Sequence, residues 1–456
     1  MPNRNEPPLD TLDHNVQRVH AFERLEVDGV PPRALRGSLY RTGPGLLERF
    51  GQRVAHPFEA DGLVTAVRFA DDGVFGASRP VESPDFREEE NAGRYLYSPS
   101  AALPRRLLNA MTGRVKSTGN TNLLSWQGHL LALVENALPV ELDASTLDTI
   151  ATRDFGVIDT AFSAHPRRVE SLKTTFNFGQ RGREFDLYAF PDEGPARRIG
   201  GFSAPWFGMV HDFIATDRHI VFAIGPAKLK PLTAMFGTDL STFFRWDRNA
   251  GTAIVVVPLD DPGRAVQFLT ETFWVWHFVN AFEDGAIIQV DLCRHDTFGA
   301  LAAPSSAGPQ HSKPELYRFA LDPVRKTFRG KAMWSAPCEF PSVNPRRTGA
   351  RQRYTWLQTF PDAGHAPGVA RFDCETGAVD AWGAPQDHLG VEPIFVPDGE
   401  GEGDGWVLQM FQDPARRQSY LAVLDARRLA DGPQCKVWFR QRVPMTFHGV
   451  FVTKGG

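Results

Sequence analysis

Four histidines of this chain stand in strongly apolar surroundings. They are His165, His211, His277 and His448. A buried imidazole must find a partner for each ring nitrogen or stay neutral, because an unpaired buried polar group costs roughly 1–3 kcal/mol. Neutral imidazole is also a good metal ligand. One such histidine alone would be read as a core residue bonded to backbone, but four together favour a metal site.

The spacing of these histidines excludes a local metal motif. They are separated by 46, 66 and 171 residues, so a short pattern such as HExxH does not apply. Pro166 holds His165 in extended backbone, and His448 is followed by Gly449. Such ligands would have to come from separate structural units that meet at one point. The nine other histidines lie in polar or turn-like contexts, and we expect them at the surface. Among them are His129, His219, His311 and His388.

Three glutamates are flanked by apolar residues. They are Glu135, Glu339 and Glu392. A carboxylate in such a place must be paired or hydrogen-bonded. Metal-bound histidines commonly donate their second N–H to a carboxylate, which fixes the ring and strengthens the ligand. The alternative for each glutamate is a turn cap or an arginine partner. Taken together, the three predict a carboxylate layer around the histidines.

The segment 273–285 predicts a strand that is buried on both faces. Side chains alternate along a strand, so Phe273, Val275, His277, Val279 and Ala281 are expected on one face. The other face would carry Trp274, Trp276 and Phe278. Asp284-Gly285 is a turn pair that closes a β-hairpin.

Short apolar runs separated by turn pairs recur along almost the whole chain. Clear examples are 67–75, 123–131, 281–288 and 369–379. Long helical periods are scarce, and no linker divides the chain, which favours a single all-β domain. Seven four-stranded blades would take roughly 60 residues each, as in a β-propeller. We therefore predict one all-β domain over residues 21–456, of a length that suits a seven-bladed β-propeller, with residues 1–20 as an extended arm.

Two segments depart from the β pattern and predict short helices in cap loops on one face. In 100–111, Leu103, Leu107, Leu108 and Met111 share a helical face beside two arginines, and 228–236 is similar in character. Such basic, apolar helices predict peripheral contact with a membrane. The alternative is that they cap the propeller with their leucines inward.

Composition excludes several classes of protein. Fifty Lys and Arg against 54 Asp and Glu give a net charge of -4, which gives no reason to expect nucleic acid. Four dispersed cysteines argue against a zinc cluster or disulfide framework, and fit a reducing cytosol. The polar N-terminus and the lack of an 18-residue apolar run predict a cytoplasmic protein. The 34 Phe against 7 Tyr suit an apolar core or ligand channel.

Eight short motifs together resemble the carotenoid cleavage oxygenases, in the family's order from about residue 36 to the end. They are Tyr40-Arg-Thr-Gly-Pro-Gly45, His56-Pro-Phe-Glu-Ala-Asp-Gly62, Asn120-Thr-Asn122, Ala164-His-Pro166, His211-Asp-Phe213, Glu339-Phe-Pro341, Glu392-Pro-Ile-Phe-Val396 and Phe447-His-Gly449. Each motif alone is weak, but the set is highly specific.

The resemblance implies Fe(II) on the axis of a seven-bladed propeller. The iron ligands would be His165, His211, His277 and His448, and Glu135, Glu339 and Glu392 would support them. The ligand expected to lack a glutamate is His165. Thr121 matches a threonine whose methyl limits access to an open iron position. Four neutral imidazoles would leave two octahedral positions for O2 or water. The partners would be O2 and an apolar polyene, and we expect a monomer.

Departures from the family pattern bear on the substrate. Glu59, Ala60 and Leu63 differ mildly from the usual first motif, and we expect these changes to affect packing more than activity. Relatives that cleave phenolic stilbenes resemble one another in carrying a lysine where this chain has Val134. We therefore expect cleavage of a C=C bond in a carotenoid or apocarotenoid to two carbonyl products. Alternatives are a stilbene-cleaving oxygenase, an isomerohydrolase, and a non-catalytic propeller that binds an apolar ligand.

Overall fold

A computed structural model describes residues 14–16, 18–97, 99–159, 161–299, 313–360 and 367–453 of the chain. In these residues the strands form seven main sheets and two small two-stranded ones. The seven sheets are the blades of a β-propeller, so the predicted fold is confirmed. Of the predicted arm 1–20, residues 1–13 and 17 lie outside the described residues.

The first part of the chain contains β1 (His20–Arg24), β2 (Glu26–Gly29), β3 (Gly37–Leu46), β4 (Glu48–Arg49), β5 (Gln52–Arg53), β6 (Asp61–Ala70), β7 (Gly73–Pro80), β8 (Asn122–Trp126), β9 (His129–Leu133), β10 (Val140–Leu142) and β11 (Thr149–Thr152). The middle part contains β12 (Arg167–Val169), β13 (Thr174–Arg181), β14 (Glu184–Pro191), β15 (Arg197–Ser203), β16 (Ile214–Ala215), β17 (His219–Ile224), β18 (Ala227–Leu229), β19 (Phe244–Trp246), β20 (Thr252–Pro258), β21 (Val266–Thr270), β22 (Trp274–Asp284) and β23 (Ile287–His295). The last part contains β24 (Glu315–Asp322), β25 (Thr327–Trp334), β26 (Cys338–Ser342), β27 (Tyr354–Thr359), β28 (Gly368–Asp373), β29 (Val379–Gly383), β30 (Leu389–Gly390), β31 (Ile394–Pro397), β32 (Gly405–Asp413), β33 (Gln418–Asp425), β34 (Pro433–Trp438) and β35 (His448–Thr453).

Each blade runs from an outer strand to an inner strand at the axis. Blade 1 is β1-β7-β6-β3-β35, blade 2 is β11-β10-β9-β8, blade 3 is β15-β14-β13-β12 and blade 4 is β21-β20-β17-β16. Blade 5 is β25-β24-β23-β22, blade 6 is β29-β28-β27-β26, and blade 7 is β2-β34-β33-β32 with β30 and β31 both pairing β32. Inner strands of neighbouring blades touch, for example β35 with β8, β16 with β22, and β22 with β26.

The ring is closed by strands from both ends of the chain. The C-terminal β35 pairs with β3 in blade 1. The N-terminal β2 pairs with β34 in blade 7. Two neighbouring blades therefore each combine strands from both ends of the chain, and they hold the first and last parts of the propeller together.

The core lies between blades rather than inside one central layer. Between blades 3 and 4, Phe178 packs edge-on against Phe213 at 5.4 Å and Phe222 at 5.3 Å between ring centroids. A comparable cluster joins blades 4 and 5. Each blade is covered on both faces by its neighbours, which is why its strands are apolar on both sides.

Three α-helices lie outside the blades in the described residues: α1 (Pro84–Ala92), α2 (Leu103–Thr112) and α3 (Pro231–Phe236). The two predicted cap helices are therefore present but shorter than expected. In 228–236 only the last six residues are helical, because Lys228 and Leu229 belong to β18, which pairs with β19. The helix α1 was not predicted. Short 3-10 turns occur at Pro57–Glu59, Glu170–Leu172, Leu240–Thr242, Pro262–Arg264, Pro345–Arg347 and Leu429–Asp431.

Strand β22 does not follow the simple alternation predicted for 273–285. Its register with β23 shifts between Val275 and Phe278 and again between Phe278 and Asn280. As a result Phe278 packs with Phe273 and Val275 between blades 4 and 5, and not with the tryptophans. A β-bulge re-aims side chains in this way, so the predicted face of Phe278 was wrong. The hairpin turn at Asp284 and Gly285 is as expected.

No helix among the described residues is long and apolar enough to cross a bilayer.

Candidate metal centre

The four histidines singled out in the sequence meet on the propeller axis. One ring nitrogen of each lies within 4.8 Å of the others, and all four side chains are buried. Nε2 of His277 is 3.1 Å from Nε2 of His448. The rings of His165 and His211 are 4.2 Å apart between centroids. Residues up to 283 positions apart in the sequence thus form one cluster.

Each blade contributes to the site from its inner edge. His448 begins β35 of blade 1, Thr121 precedes β8 of blade 2, His165 precedes β12 of blade 3, His211 precedes β16 of blade 4, His277 lies in β22 of blade 5, Glu339 lies in β26 of blade 6 and Glu392 precedes β31 of blade 7. Glu135 comes from the loop after β9. The propeller therefore brings distant residues together because every inner strand points its end at the same axis.

An ion pair between the buried Asp212 and the partly exposed Arg167 fixes three of the histidine-bearing segments to one another. Arg167 donates from Nε to Asp212 Oδ1 at 2.9 Å. Asp212 Oδ2 also accepts the backbone N–H of Phe278 at 2.8 Å, and Arg167 donates to the carbonyl of Phe278 at 3.0 Å. These residues follow His165, His211 and His277 directly or by two positions. The network thus sets the relative position of blades 3, 4 and 5 beside the cluster.

Three of the histidines are each backed by one of the three predicted glutamates. Nδ1 of His277 lies 2.5 Å from Oε2 of Glu339. Nδ1 of His448 lies 2.8 Å from Oε1 of Glu392, and Nδ1 of His211 lies 2.8 Å from Oε1 of Glu135. These contacts leave Nε2 of each ring for the centre of the cluster. They also fix the ring orientation that a metal ligand needs.

His165 has no carboxylate beside it among the described residues. Its Nε2 is fully buried and has no hydrogen-bond partner there. Its backbone N–H bonds Ser163 Oγ at 3.1 Å. A buried ring nitrogen without a partner is costly, and a cation at the centre of the cluster would remove that cost.

Burial and charge set the protonation of the cluster. Burial, together with the three neighbouring imidazoles, holds the pKa of His165 well below its usual value. Burial also lowers the pKa of His448, and Glu392 opposes it only in part. For His277, burial lowers the pKa, but the charge of Glu339 outweighs it and the pKa is raised. Burial therefore favours the neutral form of His165 and His448, whereas Glu339 favours positive charge at His277.

The glutamates keep their negative charge although they are deeply placed. Burial raises the pKa of Glu135, but His211 outweighs this effect and the pKa is lowered. The same holds for Glu392 beside His448 and for Glu339 beside His277. Three anionic carboxylates around four imidazoles favour a cation at the centre.

Two residues that follow glutamates adopt left-handed backbone. Asn136 has φ 63° and Phe340 has φ 50°. Phenylalanine rarely takes this conformation, and such strain tends to collect at functional sites. Phe340 donates its backbone N–H to Glu339 Oε2 at 2.6 Å, and its ring lies 4.8 Å from the ring of His277. The strained turn at Phe340 thus fixes the Glu339 carboxylate through a backbone hydrogen bond and packs the Phe340 ring against one side of the His277 imidazole.

Thr121 lies beside the cluster with its hydroxyl engaged. Oγ1 donates to Asn120 Oδ1 at 3.0 Å and approaches Glu135 Oε2 at 3.3 Å. The carbonyl of Thr121 accepts the backbone N–H of His448 at 3.2 Å. These bonds fix the side chain, so its methyl is the free end of Thr121.

An aromatic cluster covers one side of the histidines. The ring of Trp276 lies 4.9 Å from His211, and Trp274 lies 5.1 Å from Trp276. Phe298 packs on both tryptophans, and Phe58 and Met209 belong to the same cluster. These apolar side chains exclude water from the neighbourhood of the imidazoles. We name this set the aromatic wall.

The expectation that the other nine histidines lie at the surface was wrong for three of them. His56, His295 and His388 are buried. Nε2 of His295 lies 2.8 Å from Oε1 of Glu339, so this residue belongs to the site. Its position at the end of the apolar strand Ile287–His295 was the available signal, and the polar Asp296 after it obscured that signal.

His129 and His219 are partly exposed and lie 2.6 Å and 2.8 Å from Glu141 and Glu283. His311 lies outside the described residues.

Two further residues of the region were given no functional role from the sequence. Arg41 is 1% exposed and donates to Thr446 Oγ1, and its Nη1 lies 3.4 Å from Glu392 Oε2. Glu59 has both carboxylate oxygens buried, with no hydrogen-bond partner among the described residues. Burial and the nearby Asp239 raise the pKa of Glu59 to about 8. This carboxyl group is next in sequence to Phe58 of the aromatic wall.

The donor set fits Fe(II). Four neutral nitrogen ligands suit a first-row divalent metal and leave octahedral positions open, whereas structural zinc is usually four-coordinate and often bound by thiolates. The unpartnered Nε2 of His165 and the carboxylates behind the other three rings are what such an ion requires.

Comparison with known proteins finds a family model and several relatives that match this chain. The family model described as RPE65, retinal pigment epithelial membrane protein, matches residues 14–453. The apocarotenoid-15,15'-oxygenase of Synechocystis sp. is 31% identical over 457 residues, which cover 93% of this chain and 92% of that protein. The isoeugenol monooxygenase of Pseudomonas nitroreducens is 27% identical over 489 residues and covers 99% of both.

The same relationship appears in three dimensions. A structure of a variant of the Synechocystis apocarotenoid oxygenase superposes with a TM-score of 0.88 at 27% identity. The match covers 99% of this chain and 100% of that one.

Proposed function

Because the chain belongs to the RPE65 and carotenoid oxygenase family, we propose that it is a non-haem Fe(II) oxygenase that cleaves a C=C bond of a carotenoid or apocarotenoid. The observation that carries the proposal is the cluster of His165, His211, His277 and His448 within 4.8 Å. Iron bound there would supply activation of O2 for the cleavage of a conjugated double bond into two carbonyl products.

The protein's own residues have three tasks in this reaction. Glu135, Glu339 and Glu392 hold the rings of three histidines so that Nε2 faces the centre. The aromatic wall packs against the substrate and excludes water, which holds the reacting bond in place. The methyl group of Thr121 limits access to one side of the centre.

The choice of an apolar polyene rests on the residues around the centre. Val134 stands before Glu135, and its side chain cannot bind a phenol oxygen. The aromatic wall consists of Phe, Trp and Met side chains with large apolar surfaces. Both features support a long hydrocarbon substrate.

A second candidate is an oxygenase that cleaves phenolic alkenes. Glu59 favours it, because a buried carboxyl group with a pKa of about 8 is protonated at neutral pH and can donate to a phenol oxygen. The relative named isoeugenol monooxygenase also supports a phenolic alkene as substrate. Glu59 would then replace the lysine that is absent at Val134.

Two helices support peripheral contact with a membrane, where polyenes dissolve. On α2 and α3 the exposed apolar side chains, which we name the cap patch, are Leu103 (45%), Leu108 (48%), Met111 (85%), Leu232 (72%), Met235 (38%) and Phe236 (55%). Arg106 ties the two helices by donating to the carbonyls of Met235 and Gly237. The alternative of inward leucines is therefore wrong for Leu103 and Leu108.

The test is product analysis with three substrates under 18O2. Purified protein is incubated separately with an apocarotenal, isoeugenol and resveratrol, and the products are identified by mass spectrometry. We expect the apocarotenal to be consumed, with label from O2 in both carbonyl products, which also excludes an isomerohydrolase. The variant His277→Ala serves as the inactive control.

Consumption of isoeugenol or resveratrol alone would overturn the carotenoid assignment in favour of the phenolic alternative. In that case Glu59→Leu, which removes the donor, should raise KM for the phenol more than it lowers kcat.

A further inference from the structure

Glu339 lies between two buried imidazoles. Its Oε2 is 2.5 Å from Nδ1 of His277, and its Oε1 is 2.8 Å from Nε2 of His295. All three side chains are 6–7% exposed. Both carboxylate oxygens are therefore engaged, by histidines from the neighbouring strands β22 and β23.

The other two glutamates also have a polar group beside their second oxygen, but of different chemistry. The second oxygen of Glu392 faces the guanidinium of Arg41 at 3.4 Å. The second oxygen of Glu135 lies 3.3 Å from the hydroxyl oxygen of Thr121. Each glutamate thus has one oxygen toward a histidine of the cluster and the other toward a supporting residue.

A donor beside the second carboxylate oxygen stabilises the orientation of the glutamate. A buried carboxylate oxygen without a donor costs roughly 1–3 kcal/mol, and the group would rotate or move to find one. Rotation of Glu339 would release Nδ1 of His277 and with it the direction of Nε2. A donor at Oε1 prevents this.

We propose that His295 is a positioning residue of the metal centre. Its Nε2–H holds Glu339, and Glu339 holds His277 as a ligand. This inference rests on the proposed Fe(II) centre, because His277 matters to the protein's chemistry only as a ligand of that metal.

The register of the two strands supports this role. His295 pairs with Trp274 across the β22–β23 ladder, and the register shift between Val275 and Phe278 follows. Two residues of β22, Trp276 and His277, therefore have no direct partner on β23. His277 is turned to the axis while His295, at the end of β23, approaches the same carboxylate from the other side. Its nitrogen is not among those that converge on the centre.

The test compares two substitutions at His295 with a matched control. His295→Leu removes the donor, and His295→Gln keeps an N–H donor near the position of Nε2. His219→Leu is the control, because it breaks another histidine–glutamate pair, His219 with Glu283 at 2.8 Å, on β17 away from the centre.

The measurements are the Fe(II) dissociation constant of the purified full chain, by anaerobic competition with a chelator, and the electron paramagnetic resonance spectrum of its nitric oxide adduct. We expect His295→Leu to weaken Fe(II) binding about tenfold and to alter the spectrum, and His295→Gln to return within about threefold of wild type. His219→Leu should change neither quantity.

Wild-type affinity and spectrum in His295→Leu would overturn the proposal, as would equal losses in His295→Gln or in His219→Leu. If His295→Leu does not fold, His295→Asn replaces it, because its shorter amide does not reach Oε1. A wild-type chain that binds no Fe(II) would overturn the proposed function and this inference together, whereas an iron-binding wild type with unchanged variants would overturn this inference alone.

Discussion

At the scale of single residues, Glu59 is a carboxyl group that the fold keeps protonated. Burial and Asp239 raise its pKa from 4.5 to about 8. The unfolded chain loses this proton above about pH 4.5, and the folded chain only near pH 8. The stability that the raised pKa gives is therefore fully present below pH 4.5 and is lost as pH rises toward 8.

We expect Glu59→Gln to gain stability relative to wild type as pH rises, because glutamine does not ionise. The difference in Tm should be small at pH 5 and should grow up to pH 8. The measurement is Tm by differential scanning calorimetry from pH 5 to pH 9. Glu26→Gln is the control, since Glu26 is 67% exposed. A difference that does not change with pH would contradict the prediction.

The sequence identified the four histidines and three glutamates because a polar residue inside an apolar run stands out. It did not identify Arg41 or His295, because their importance depends on partners far away in sequence. Arg41 bonds the carbonyl of Glu392, 351 residues later. His295 lies in blade 5 and contacts Glu339 in blade 6. Such pairs become visible only when the strands are placed.

At the scale of elements, α2 and α3 carry the cap patch and are the part of the molecule that we expect to touch lipid. Arginines of α2 have other partners: Arg105 lies 3.1 Å from Glu88, and Arg106 bonds carbonyls of the α3 segment. The interaction should therefore be mainly apolar and should depend little on anionic lipid or salt.

We expect Met111→Glu with Leu232→Glu to reduce binding to neutral phosphatidylcholine vesicles at least severalfold, because each places a charge in the apolar surface. Vesicle co-sedimentation measures this. Val324→Glu is the matched control, since Val324 is as exposed as Met111 at 85% but lies after β24 in blade 5. Equal binding of all three proteins would contradict a membrane role for the cap patch.

Hairpins were predictable at this scale, whereas bulges were not. Turn pairs such as Asp284 and Gly285 mark where a strand reverses, and the structure has strands on both sides of it. The register shifts in β22 depend on the partner strand, which local alternation does not contain. For that reason Phe278 was assigned to the wrong face, although the strand itself was correct.

At the scale of the whole molecule, closure of the ring depends on strands from both chain ends. Gly29 in β2 has φ 93°, and a Cβ there would meet the carbonyl of Gln434 at 2.4 Å in β34. Any side chain would push β2 away from blade 7. This would leave the edge of β34 unpaired, which promotes aggregation.

We expect Gly29→Ala to lower Tm and to increase aggregation on heating. Gly51→Ala is the control, because Gly51 has φ 70° but open space around its Cβ position. Both variants therefore strain the backbone. Only Gly29→Ala adds a steric clash, which should lower the free energy of unfolding by about 1–3 kcal/mol. Equal Tm values for the two variants would show that closure by β2 adds little.

The count of blades followed from chain length, the hairpin pattern and the family resemblance. The pairing of β35 with β3 could not be read from local sequence, since it joins residues about 400 positions apart. This pairing also delivers His448 to the axis, so closure of the ring and completion of the cluster depend on the same strand.

The most direct test of a four-histidine iron centre is metal content. The chain is purified anaerobically after expression with iron and analysed by inductively coupled plasma mass spectrometry, beside His277→Ala and the control His219→Ala. We predict about one iron per chain for wild type and His219→Ala, and loss of most of the iron in His277→Ala. A wild-type chain that is properly folded but holds no iron after anaerobic incubation with Fe(II) would contradict the account.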